Sequence, residues 1–170
     1  MAEFAAESKK DIIGIIGTRS TVNSQAYDNE IKNLNKKIKV QAIAAPLLVP
    51  LIEEGWAKKP ETKMILKKYL RPLKTNKIKL LILACTHYPF LLKDVKRICG
   101  KNILVPNPGE VVAQSLKVYL NNHPELGLKK TKNPSRNFYS SDKNGLFKKL
   151  AEKFLGKKIK EFKSANLNDF

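Results

Sequence analysis

Two short runs dominate what this chain can fold into. Residues 11–17 read Asp-Ile-Ile-Gly-Ile-Ile-Gly, and residues 80–83 read Leu-Leu-Ile-Leu. A strand that is apolar at every position has no face to turn to water, so both of its faces must be covered. Between and after these runs the pattern changes to helical spacing. A helix is expected over 22–34 with Ala26, Ile31 and Leu34 inward, and a second strand over 38–43. A helix opening at Pro46 should run to Glu54 and stop at Gly55. Further helices are expected over 61–70, 89–98 (ended by Gly100) and 109–120, with a fourth strand over 102–105. Strands alternating with helices at this spacing predict an α/β fold: a three-layer domain built on a parallel sheet. Residues 2–10 read as the end of a helix leading into a strand, so the chain opens in mid-architecture. Residues 121–137, polar and basic with Pro124, Gly127 and Pro134, read as a linker. After it comes a short α/β tail: a strand over 138–141, a helix over 143–154 and a strand over 159–162.

The formal net charge is +18, from 33 basic and 15 acidic residues. Such a balance invites a nucleic-acid reading. The basic residues are, however, 29 lysines and four arginines spread along the whole chain. Nucleic-acid sites enlist arginine and aromatic side chains on one face, and no such interleaving occurs. A solvated lysine-rich surface, as an AT-rich genome would encode, is the simpler account, with the tail after Leu126 as the exception to watch. Two cysteines do not make a disulfide framework, and a reducing, cytoplasmic setting is expected. The first ten residues have no signal-peptide core. The most apolar window, residues 40–52, is shorter than the roughly 20 residues needed to span a bilayer, so no membrane partner is expected.

In doubly wound sheets, ligands bind beyond the carboxyl ends of the strands. Three such ends carry polar groups here: Thr18 to Thr21, the unit from Pro46 to Glu53, and Cys85-Thr86-His87. Together they offer hydroxyls and backbone donors for a carboxylate, a thiol, and an imidazole two residues away. A turn into a helix N-terminus favours a thiolate at Cys85. Each group has a plainer alternative. Cys85 could be a small buried hydrophobe, His87 a structural hydrogen-bonding residue, the threonines helix caps, and Glu53 a surface carboxylate. Cys99, beside Gly100 with no polar companion, reads as structural. No phosphate-binding glycine loop, metal-spaced Cys/His cluster or nucleophile elbow is present. The chemistry suggested is direct thiol acid–base or nucleophilic work without cofactor or metal.

Four segments in one order resemble the glutamate racemases of the aspartate/glutamate racemase superfamily. Ala84-Cys85-Thr86-His87-Tyr88-Pro89 is similar to the signature around that family's second catalytic cysteine. Residues 14–24 (Gly-Ile-Ile-Gly-Thr-Arg-Ser-Thr-Val-Asn-Ser), 46–55 (Pro-Leu-Leu-Val-Pro-Leu-Ile-Glu-Glu-Gly) and 107–113 (Asn-Pro-Gly-Glu-Val-Val-Ala) resemble three others. Ala84 stands where the family has glycine. The resemblance implies cofactor-independent interconversion of L- and D-glutamate, supplying D-glutamate for peptidoglycan, by two cysteines on opposite faces of the substrate. It implies Cys85 and His87 as catalytic, Thr86, His87, Thr18 and Thr21 as substrate-binding, and Glu53 as a polar partner behind them.

The family's N-terminal half, with its Asp-Ser and Tyr-Gly pairs and its first cysteine in Cys-Asn-Thr, has no counterpart here. The resemblance therefore implies one whole domain over 1–104, with 105–170 the C-terminal segment of a second, incomplete α/β domain. The expected partners are the small-molecule substrate glutamate and either a separate N-terminal half or a homodimer partner. The chain alone is expected to be inactive, and Val111, Leu116, Phe147 and Leu150 are expected to lie on exposed apolar faces. Aspartate-specific relatives typically place Glu at the His87 position, which argues against them. The competing reading is a degenerate, non-catalytic α/β module whose basic surface binds an acidic partner or nucleic acid.

Overall fold

A computed structural model of the chain describes residues 1–126, 136–141 and 146–166. Contacts divide it into two units, Met1–His123 and Pro124–Phe170. The first unit runs α1 (Ala2–Glu7), β1 (Ile12–Gly17), α2 (Arg19–Asn23), α3 (Ala26–Leu34), β2 (Lys39–Ala44), α4 (Leu48–Glu53), α5 (Pro60–Thr75), β3 (Leu80–Ala84), α6 (Leu92–Cys99) and α7 (Pro108–Asn122). A 3-10 turn over Tyr88–Leu91 leads into α6. The three strands are parallel in the order β2-β1-β3, as the apolar runs require. Ile13 and Ile15 of β1 join Leu80 and Ile82 of β3, Ala5 of α1 and Ile31 of α3 in one cluster. By the pleat, Ile16, Leu81 and Leu83 point the other way. Buried Leu66, Leu70 and Leu73 of α5 and Val95 of α6 complete the core.

Three expectations are corrected. The helix expected over 22–34 is two helices: Thr18 caps α2, and the chain breaks at Gln25, whose φ is 54°. Ser24 causes part of this, since its hydroxyl donates to the Thr21 carbonyl at 2.9 Å and so offers the backbone an alternative to helix. The break resets the helical phase. Ile31 stays buried, but Leu34 and Ala26 face solvent and Tyr27 packs on the core instead. The helix after Pro46 begins only at Leu48. Its end is as expected: Gly55, at φ 84°, lets the Trp56 and Gly55 amides reach the Leu51 and Ile52 carbonyls. The fourth strand shrinks to a single bridge, Leu80 with Leu104. Pro106 follows two residues later and cannot donate to a ladder.

Helix α7 belongs to the first unit, yet none of its residues is buried. Val112, Leu116 and Tyr119, at helical spacing, are each about half exposed. Leu116 is thus exposed as expected, whereas Val111 is only partly so.

In the second unit, β4 (Phe138–Ser140), α8 (Leu146–Leu155) and β5 (Phe162–Ser164) form a parallel pair joined by a helix. Phe147 stacks at a tilt on Phe162, centroids 5.8 Å apart, and remains 47% exposed; Leu150 is partly buried. The second strand lies later than the expected 159–162. Residues 143–145 of the expected helix, and most of the expected linker, lie outside the described residues.

Burial raises the Cys99 thiol from 9.0 to about 11, and burial also raises the Tyr27 and Tyr88 hydroxyls. In each case the folded state holds its proton longer than the unfolded chain. The stabilisation is therefore complete below the unfolded values and is lost as pH rises towards the folded ones. Thermal melts are expected to be flat from pH 7 to 8.5 and to fall steeply from 9 to 11. Cys99→Ala should reduce that fall, and a slope unchanged by the substitution would contradict the assignment.

Candidate active site

The register sets the site. Gly17 lies opposite both Ala44 and Ala84, so β1, β2 and β3 end at one level and their loops leave side by side. Adjacent strands stand about 4.8 Å apart, which puts Thr18, Ala45 and Cys85 at three neighbouring exits. Gly17 suits this crowding: a Cβ there would lie 3.2 Å from the Thr21 side chain, a tight contact, and 3.5 Å from the Ala84 carbonyl oxygen, an ordinary one.

Three sets of bonds tie the loops together. The Ala45 amide donates to the Gly17 carbonyl at 2.8 Å. The Tyr88 hydroxyl, fully buried, shares its proton between the Gly17 and Ala45 carbonyls at 3.1 and 2.9 Å. His87 Nε2 and Glu53 Oε1 are 3.0 Å apart, joining the turn after β3 to the end of α4. In the first loop, Thr18 Oγ1 accepts from the Thr21 amide at 3.2 Å and lies 3.0 Å from Thr21 Oγ1. The pair caps α2, and Thr21 or Thr18 retains lone pairs for a further partner.

Cys85 is partly buried, Thr86 exposed and His87 partly buried. The Cys85 carbonyl accepts from the Tyr88 amide at 3.2 Å, closing the turn that presents all three. The Tyr88 hydroxyl is held above its ordinary value of 10.0 first by burial, then by the charge that Cys85 and Tyr69 can carry. Sulfur and phenol are thus electrostatic neighbours, and the phenol stays a neutral donor. Cys99 is at 5% exposure on α6. Among the described residues no group of three His, Cys, Asp or Glu converges as a metal site, and no helix is long and apolar enough to cross a membrane.

Sequence reasoning had named Cys85, Thr86, His87, Thr18, Thr21 and Glu53, and the fold places all six at the carboxyl end of one sheet. It missed Tyr88. A tyrosine directly after a polar turn, with Pro89 and Phe90 following, needs a buried partner for its hydroxyl, and that was the signal to read.

Residues 1–115 match the model of the Asp/Glu/Hydantoin racemase family. The chain belongs to this family. It is 37% identical over 164 residues to a glutamate racemase of Neisseria meningitidis serogroup A, covering 95% of this chain and 59% of that protein. Against one from Syntrophus aciditrophicus the identity is 35% over 158 residues, with 91% and 57% covered. The chain thus spans under two thirds of these relatives and corresponds to their C-terminal part. Among solved structures, glutamate racemase from Francisella tularensis in complex with D-glutamate superposes with a TM-score of 0.86 at 28% identity. That match covers 99% of this chain and 63% of that one. An isoform from Bacillus anthracis gives 0.86 at 30% identity, with 98% and 62% covered. The aspartate/glutamate racemase fold is therefore this chain's fold.

Two outcomes test this arrangement. With a chromogenic disulfide at pH 8, Cys85 should react at once and Cys99 only on unfolding. Two equally fast thiols would contradict the burial of Cys99. Tyr88→Phe should cost about 1–3 kcal/mol in urea unfolding, because two carbonyls lose a buried donor.

Proposed function

We propose that this chain supplies one face of a glutamate racemase active site. Cys85 is the thiol base that removes or returns the Cα proton. His87, held by Glu53, assists it in proton transfer, while Thr86, His87, Thr18 and Thr21 bind the substrate, the threonines near its carboxylate. The observation that carries this reading is the placement of a thiol, an imidazole–carboxylate pair and two hydroxyls at adjoining strand exits.

The chemistry follows from symmetry. The Cα–H of an amino acid is a weak acid, so its removal needs a thiolate in a water-poor pocket with donors for the developing charge. Inversion needs a second acid on the opposite face. One thiolate takes the proton from Cα and becomes a thiol; the other thiol gives its proton to the far face and becomes a thiolate. Protons balance, and no cofactor is used. Cys99 cannot be that second group, since it is buried on α6 and burial pushes its thiol up to about 11. We assign the second base to another polypeptide, either a separate N-terminal half or a partner copy. In that arrangement residues 1–104 are one domain, and 105–170 complete the other. The cellular role we propose is cytoplasmic supply of D-glutamate for peptidoglycan.

The purified 170-residue chain is expected to form no D-glutamate from L-glutamate in a coupled assay. Clear turnover would sink the two-cysteine reading. Adding a polypeptide that carries the family's Cys-Asn-Thr segment should restore activity, and Cys85→Ser should then abolish it. His87→Asn in the restored enzyme should lower kcat by about 10²–10⁴, the range for loss of a positioned proton-transfer group.

A further inference from the structure

The end of the sheet opposite Cys85 has a different chemistry. Lys10 precedes β1, Lys79 precedes β3, Lys96 lies on α6, and Lys101 follows that helix. All four line one cavity of about 370 Å³ together with Gly100 and Asn102, and no carboxylate lines it among the described residues. A neighbouring cavity of about 240 Å³ shares Lys79 and Asn102 and adds Lys74 and Lys77. The nearest acid on α6, Asp94, is tied to Arg97 at 2.7 Å, not to Lys96. Four lysines from separate segments line one concavity, and like charges gathered on one face are disfavoured unless an anion lies among them.

Gly100, which ends α6 at φ 75°, also lines the cavity, and nothing lies within 4 Å of where its Cβ would sit, so the space beside it is open. We infer that this lysine cavity binds a compact polyphosphate, an anion with two or three linked phosphates. The cavity is concave and small, and neither an arginine nor an aromatic side chain lines it. That favours a small anion over a nucleic-acid strand, which would need stacking or a long groove. The cavity lies about 20 Å from the carboxyl ends of the strands, the length of six strand residues, so it is distinct from the glutamate site.

Calorimetric titration of the full chain with inorganic tripolyphosphate tests this. Saturable one-to-one binding is expected, weaker as salt rises because the lysines are exposed. Lys79→Gln with Lys101→Gln should weaken it by at least roughly tenfold. The charge-matched control, Lys67→Gln with Lys68→Gln on α5, should leave it unchanged, with circular dichroism showing both variants folded. Equal loss in both variants would overturn the site in favour of diffuse charge, and no binding at low salt would overturn it outright. Duplex DNA displacing tripolyphosphate at lower concentration would reassign the face to nucleic acid. Capture by phosphatidylglycerol vesicles without tripolyphosphate binding would reassign it to a lipid surface.

Discussion

One phenolic hydroxyl holds the working end of this molecule together. Tyr88 sits in the turn that presents Cys85 and His87, and its hydroxyl reaches back to the carbonyls at the exits of β1 and β2. Those carbonyls belong to the last residue of β1 and the first residue after β2, where regular pairing stops. A single proton shared between them fixes the three exits relative to one another. The clamp is also stable against charge at the site. Burial and the neighbouring sulfur both oppose ionisation of the phenol, so a negative charge developing on Cys85 strengthens the protonated state of the clamp.

Around that clamp, the fold solves a positioning problem with few residues. Parallel strands ending in register deliver three loops to one place, and Gly17 supplies the room for Thr21 to close over β1. The His87–Glu53 contact then links the second and third loops. Glu53 is 41% exposed at its side chain, so the pair contributes little to stability by itself. Its effect is orientation: with one imidazole nitrogen engaged by the carboxylate, the other is aimed by default.

What the sequence made legible was whatever a local pattern determines. The uninterrupted Ile and Leu runs could only be covered strands, and polar residues at their ends could only be loop exits at one edge. Cys99 was readable as inert because it lies in an apolar phase of α6 with no polar companion. The features that escaped depend on competition or distance. Gln25 breaks a helix whose periodicity is intact on paper, because the Ser24 hydroxyl offers the Thr21 carbonyl another donor. The stretch around Leu104 has strand composition, but its neighbours in sequence cannot extend the ladder. Tyr88 bonds to residues 71 and 43 positions away, and no window of local sequence contains that information.

Helix α7 shows how local chemistry can reinforce an element that packing holds only partly. Fifteen residues with none buried are near the length at which isolated helices are marginal in water. Its N-terminus, however, is fully furnished. Asn107 accepts from the Gly109 amide at 3.1 Å, Pro108 takes the first helical position, and Glu110 stands in the first turn, bonded to Asn107 Nδ2 at 3.0 Å. At the other end the His123 ring stacks on Tyr119, centroids 3.9 Å apart, and its Nδ1 lies 2.7 Å from the Tyr119 carbonyl. A good N-cap contributes about 1 kcal/mol, comparable to what one half-buried apolar side chain would add. The apolar stripe Val112-Leu116-Tyr119 can therefore stay half exposed while the helix persists. The contacts at its ends add to what partly buried Val111 and Leu120 contribute, while that stripe remains half exposed.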